Sequence, residues 1–221
     1  MNDNKKFGVK ELALIAMFCA LSFAAVLLGR VIPDVLGFLS YDPKDAVVAV
    51  AGFLFGPLYT VLITVIVSVI EMLTISSTGI YGCIMNIVST VAFSLPAALI
   101  YKKQRSYKGA VYGLGAGLIF MTACMVLWNY LITPLYMGIP RGQVAGMLAT
   151  VFFPFNAIKG GINMALTLLL YKPLVTALRR ARLVSVPVGE KKQPYRATFL
   201  WVGLALLCVF VLLFLFFSGI L

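Results

Sequence analysis

The sequence contains no histidine, which removes the commonest metal ligand and the commonest general base. Its four cysteines, Cys19, Cys83, Cys124 and Cys208, each lie alone in an apolar run with no CxxC spacing. They read as small apolar side chains, and no metal site is expected. Without histidine, no Ser–His or Cys–His nucleophilic pair can form. No GxxxxGK[ST] phosphate-binding string occurs either. Charged residues are scarce as well, 11% against about 25% in soluble domains. With 62% hydrophobic residues and a mean hydropathy of +1.04, the chain reads as an all-α integral membrane protein.

The charge that remains is mostly positive, 18 Lys/Arg against 7 Asp/Glu. In an apolar chain this balance points to cytoplasmic membrane loops rather than to nucleic acid. The uncharged run from Leu12 to Gly29 is long enough for a retained anchor and long for a cleaved signal. Between Ala46 and Tyr101 the only charge is Glu71, and those residues suit three spans better than two. Gly56-Pro57 and SSTGIYG (76–82) mark the breaks. The expected helices are 11–29, a short 44–55, 57–75, 82–101, 109–132 (ended by Pro134, Gly138 and Pro140) and 152–180. A further uncharged run at 197–221 is expected to be a seventh, C-terminal transmembrane helix. The domain reading is a six-helix membrane domain over 1–182, a basic cytoplasmic linker over 183–196, and the added helix.

Placing the N-terminus inside puts 14 of the 18 basic residues, in clusters at 5–10, 102–108 and 172–196, on the cytoplasmic side. Arg30, Lys44 and Arg141 fall outside, and the C-terminus is extracellular. Lys159 alone lies within the membrane. The loops at 30–45, 76–82 and 133–151 are then extracellular, and their apolar, Pro/Gly-rich composition suits loops that fold over a site.

Lys159 shares one helical face with Asn156 and Asn163, at spacings i, i+3 and i+7. At a rise of about 1.5 Å per residue it lies on the order of 10 Å inside the outer surface. A lysine at a helix centre costs roughly 2.5–3.5 kcal/mol to insert, so it calls for a cavity or a partner. The alternatives are a ligand-facing role, snorkelling to an interface, and a structural pair with Glu71. Asn129, with Trp128 and Tyr130 as interface aromatics beside it, lies at a similar depth on the preceding span. Glu71 and Asn86 join them in the outer half. Amides, one lysine, hydroxyls and aromatics suit a neutral, planar, hydrogen-bonding solute held in an outward-facing pocket. A membrane enzyme using Glu71 and Lys159 has no nucleophile or metal constellation to support it. Two small-residue stripes, Ala16/Ala20/Ala24 and Gly109/Gly113/Gly117, allow close helix approach. One is expected to be internal packing and the other a partner surface.

The strings YDPKDAVVAVAGFLFGP (41–57), EMLTISSTGIYGCIMN (71–86), NYLITPLYMGIPR (129–141) and FPFNAIKGGIN (153–163) carry a more specific signal. Through them the chain resembles, over about residues 8–182, the riboflavin-specific substrate-binding (S) component of energy-coupling-factor (ECF) vitamin transporters. The resemblance implies a six-helix fold with the vitamin near the extracellular side, under the loop between the first two helices. It implies riboflavin as a transported ligand rather than a cofactor, recognised by Asn129, Asn156 and Lys159. Tyr41, Glu71, Thr78, Gly79 and Asn86 are further candidate contacts from the matching strings. It implies docking of Ala16, Ala20 and Ala24 on a transmembrane coupling subunit driven by two ATPases, and toppling of the S component to deliver its vitamin. An S component for another neutral ring vitamin is the alternative. Cationic thiamine would sit poorly beside Lys159. The seventh helix departs from the six-helix pattern.

Overall fold

The computed structural model describes residues 8–35, 39–181, 183 and 198–219. The described residues form helices α1 (Val9–Gly29), α2 (Lys44–Phe55), α3 (Pro57–Thr74), α4 (Gly79–Lys103), α5 (Tyr107–Met137), α6 (Arg141–Met147), α7 (Phe153–Arg180) and α8 (Thr198–Phe217). A π-helical turn, Leu148–Phe152, joins α6 to α7. α1 to α5 with α7 make a six-helix bundle, and α8 packs on α7.

Twelve residues give α2 a length of about 18 Å, well short of a bilayer core of about 30 Å. It is buried instead, in contact with α1, α3, α4 and α7. Its small side chains explain how four neighbours fit: Ala46, Val48, Ala49, Val50 and Ala51 are fully buried. Gly52 lies where a Cβ would collide with the Thr60 hydroxyl of α3 and meet Ala98 of α4 at 2.9 Å. The expected break at Gly56-Pro57 is present. Gly56 takes φ 101°, a conformation that favours glycine, and Pro57 begins α3, where its missing N–H costs nothing.

α5 resolves the question of the two small-residue stripes. A Cβ on Gly113 would lie 2.8 Å from the Ala97 carbonyl oxygen, and one on Gly117 would collide with that of Phe93. The glycine stripe is therefore internal packing of α5 on α4. Ala16, Ala20 and Ala24 are exposed along one face of α1, whose opposite face buries Ile15, Phe18 and Cys19 against α2 and α3.

Two sequence expectations need correction. α5 does not end before Pro134. It runs to Met137 and stops at Gly138, which has φ 68° and donates its N–H to the Pro134 carbonyl at 3.1 Å. A proline this close to the helix end removes one donor, and the chain continues to a glycine cap that satisfies a later carbonyl. The segment 133–151 is also not an open loop, because α6 and the π turn carry it helically into α7. Towards the other end of the bundle, the Tyr101 and Tyr171 hydroxyls meet at 2.7 Å beside Phe53.

Candidate functional site

The polar residues gather around the first turn of α2. Lys44 is fully buried, and its Nζ lies 2.5 Å from Glu71 Oε1 on α3 and 2.7 Å from Asp42 Oδ2. Asn86 on α4 donates to the other Glu71 oxygen at 2.7 Å. A buried carboxylate needs both charge and hydrogen bonds to offset its desolvation, and Glu71 has both. Lys44 was expected among the outer loop charges. It is instead the hub of an internal ion-pair network, and Glu71 pairs with it rather than with Lys159.

A second set centres on Asp45, also fully buried. Thr90 donates to its Oδ1 at 2.6 Å, Asn163 reaches its Oδ2 at 3.4 Å, and Lys159 Nζ stands 3.9 Å from Oδ2. Asp45 lies in the first turn of α2, where the helix dipole favours a negative charge. Asn163 accepts from the Tyr41 hydroxyl at 2.9 Å and donates to the Asp42 carbonyl at 3.1 Å. It thereby stitches the segment ahead of α2 onto α7. Burial, then the nearby Asp45 and Asp42 carboxylates, push the Tyr41 hydroxyl well above its ordinary pKa, so it stays a donor.

Asn129 and Asn156 form the third set. Asn129 donates to the Met125 carbonyl at 2.7 Å and accepts from Thr133 at 2.9 Å. Asn156 donates to the Phe152 carbonyl at 2.7 Å, at the last residue of the π turn. Each donation to a carbonyl uses one amide hydrogen and leaves the second one of that side chain. Both side chains are buried, as is Lys159, which is only 7% exposed. α7 packs on α5 and on α2, so the helices that carry Asn129, Asn156 and Lys159 adjoin each other, and the helix of Lys159 adjoins that of Asp45.

Thr78 and Gly79 stand apart. They are exposed at the start of α4, and Thr78 bonds to Ser76 within its own turn. Trp128, read as an interface aromatic, packs against the cluster around Phe93 and Met125, and its indole nitrogen is buried without an acceptor among the described residues. Asp42, Lys44 and Asp45 were missed as site residues. The signal was there, since three charges in four positions at the start of an apolar helix are unusual unless they pair internally. A cavity of about 590 Å³ between α5 and the α6–α7 unit, lined by Leu118, Thr122, Tyr130, Leu148 and Phe153 among others, does not include these polar side chains.

A sequence profile of the family described as "ECF transporter, substrate-specific component" matches residues 10–171. This chain belongs to that family. It is a multi-pass membrane protein of a transporter family, not an enzyme family. It is 30% identical over 189 residues to the riboflavin transporter RibU of Staphylococcus aureus (strain TCH60), covering 81% of this chain and all of the relative. It is 29% identical over 192 residues to the riboflavin transporter FmnP of Bacillus subtilis (strain 168), covering 79% and 98% respectively. A solved structure of the S component of a bacterial ECF transporter superposes with a TM-score of 0.65 at 30% identity, covering 76% of this chain and 97% of that one. α8 begins beyond the family match.

Proposed function

We propose that this S component captures riboflavin on the extracellular side of the cell membrane and delivers it for uptake. The observation that carries the reading is the burial of the polar side chains Asn129, Asn156 and Lys159 on the packed helices α5 and α7, in a chain whose relatives are riboflavin transporters. Riboflavin is neutral and presents ring carbonyls and ring nitrogens. Amides supply both donors and acceptors to such an edge, and Lys159 supplies a donor whose only ion-pair contact, among the described residues, is at 3.9 Å. Tyr41 and Asn163 shape the wall beside them. Glu71 and Asn86 act on the ligand indirectly, by fixing Lys44 and the start of α2.

In this reading the N-terminus is cytoplasmic and the C-terminus extracellular. The Ala16/Ala20/Ala24 face docks on a transmembrane coupling subunit, and two partner ATPases energise transport. Residues 1–182 form the binding domain, while the basic linker at 183–196 lies almost wholly outside the described residues. Titrating the purified chain with riboflavin tests the ligand. Quenching of flavin fluorescence at micromolar riboflavin, undisturbed by excess thiamine, is expected, and its absence would remove riboflavin as the ligand.

A further inference from the structure

α8 lies outside the family match, yet it is not loosely attached. The Phe210 ring occupies the space where a Cβ on Gly161 would sit, and a Cβ on Gly203 would lie 2.8 Å from Leu169. These two contacts fix α8 antiparallel to α7. Running on in that register, Phe214 reaches the end of α7 that carries the site helix face. There it is buried in a cluster with Val35, Tyr41, Phe155, Ile158 and Ile162. Its ring meets the Tyr41 ring edge to face, with centroids 6.1 Å apart and planes at 61°.

Tyr41 is thus held at both ends. Its hydroxyl donates to Asn163, one turn from Lys159 on α7, and its ring rests on Phe214 of α8. The segment it belongs to is also pinned by a pair of backbone bonds between Val35 and Leu39, each 3.0 Å, and Leu39 packs on the same cluster. We propose that Phe214 is a positioning residue for ligand capture: it fixes the Tyr41 ring against α7, so that the helix added to the family bundle sets how long the ligand stays. The proposal rests on the riboflavin reading above. Phe214 touches Tyr41 rather than the ligand, so its effect must pass through Tyr41. Pre-organising a binding wall lowers the ordering cost of binding, and among variants of one site such changes act mostly on dissociation.

The test uses the full-length chain in detergent, loaded with riboflavin and diluted, with release followed by recovery of flavin fluorescence. The wild-type chain comes first, because failure of the wild type to bind sinks the ligand assignment and not the role of α8. Given wild-type binding, Phe214→Ala is expected to release riboflavin roughly five- to tenfold faster, the loss of an aromatic pair together with its packing. Phe216→Ala, on a side chain 76% exposed on the same helix, is expected to match wild type. In a Tyr41→Ala background, Phe214→Ala is expected to add less than about a twofold change, because coupled neighbours are not additive. A purely structural role for Phe214 would lower thermal stability without that dependence on Tyr41. If Phe214→Ala does not fold, Phe214→Leu carries the same test, with roughly two- to threefold faster release from loss of the ring contact alone. Release from the Phe214 variants equal to wild type, or an undiminished effect in the Tyr41→Ala background, overturns the proposal.

Discussion

Lys159 stands 3.9 Å from Asp45, while Lys44 sits 2.5 Å from Glu71 and 2.7 Å from Asp42. The two buried lysines are therefore held differently. Lys44 is committed to protein carboxylates on two sides, whereas Lys159 has one partner at the outer limit of an ion pair. The first arrangement ties the start of α2 to α3, and the second leaves the Lys159 ammonium without a close carboxylate among the described residues.

Lys159→Ala is expected to weaken riboflavin binding by about 1.5–3 kcal/mol, the range for a hydrogen bond to a charged group. Fluorescence titration measures it. Unchanged affinity would remove Lys159 from the site.

Lys44→Met should act on stability first. It leaves Glu71 and Asp42 buried without their cation, a loss of about 3–5 kcal/mol for a broken buried pair. Adding Glu71→Gln should recover part of that loss, since the orphaned charge is then gone. Thermal unfolding of the four members of the cycle checks this. Purely additive losses would contradict the network.

Asn129→Ala and Asn156→Ala should each weaken binding by about 0.5–1.5 kcal/mol, the ordinary worth of a neutral hydrogen bond. Thr78→Ala should leave affinity within about twofold, because Thr78 is exposed and bonded within its own turn. The contrast is measured in one titration series. An equal loss for Thr78→Ala would place the start of α4 in the site after all.

The two stripes of small residues separate packing from partner docking. Gly117→Ala should destabilise the bundle by about 1–3 kcal/mol, since the new methyl meets the Phe93 carbonyl of α4. Ala20→Leu, on the exposed face of α1, should leave stability and riboflavin affinity unchanged and abolish uptake in cells. Uptake at the wild-type rate would move the docking surface elsewhere.

The parts of this fold that could be read from sequence were those with a single physical cause. Uncharged runs had to be helices in lipid, and Gly56-Pro57 had to break one. Lys159, Asn156 and Asn163 had to share a face because the helix period demands it. Lys44 was misread for the opposite reason. Its neighbours in sequence are polar, which looks like solvent exposure, while the partner that accounts for its burial, Glu71, is 27 positions away. The extension of α5 beyond Pro134 and the π turn before α7 depended on tertiary context in the same way. The contact between Phe214 and Tyr41 joins residues more than 170 positions apart, and no local pattern encodes it.

Riboflavin capture is tested most directly by the visible absorption spectrum of the chain purified from cells grown in riboflavin-rich medium. A bound flavin band at stoichiometric level, reduced in Lys159→Ala, is the result predicted. A chain that purifies folded and free of flavin, and takes up none when riboflavin is added back, would contradict it.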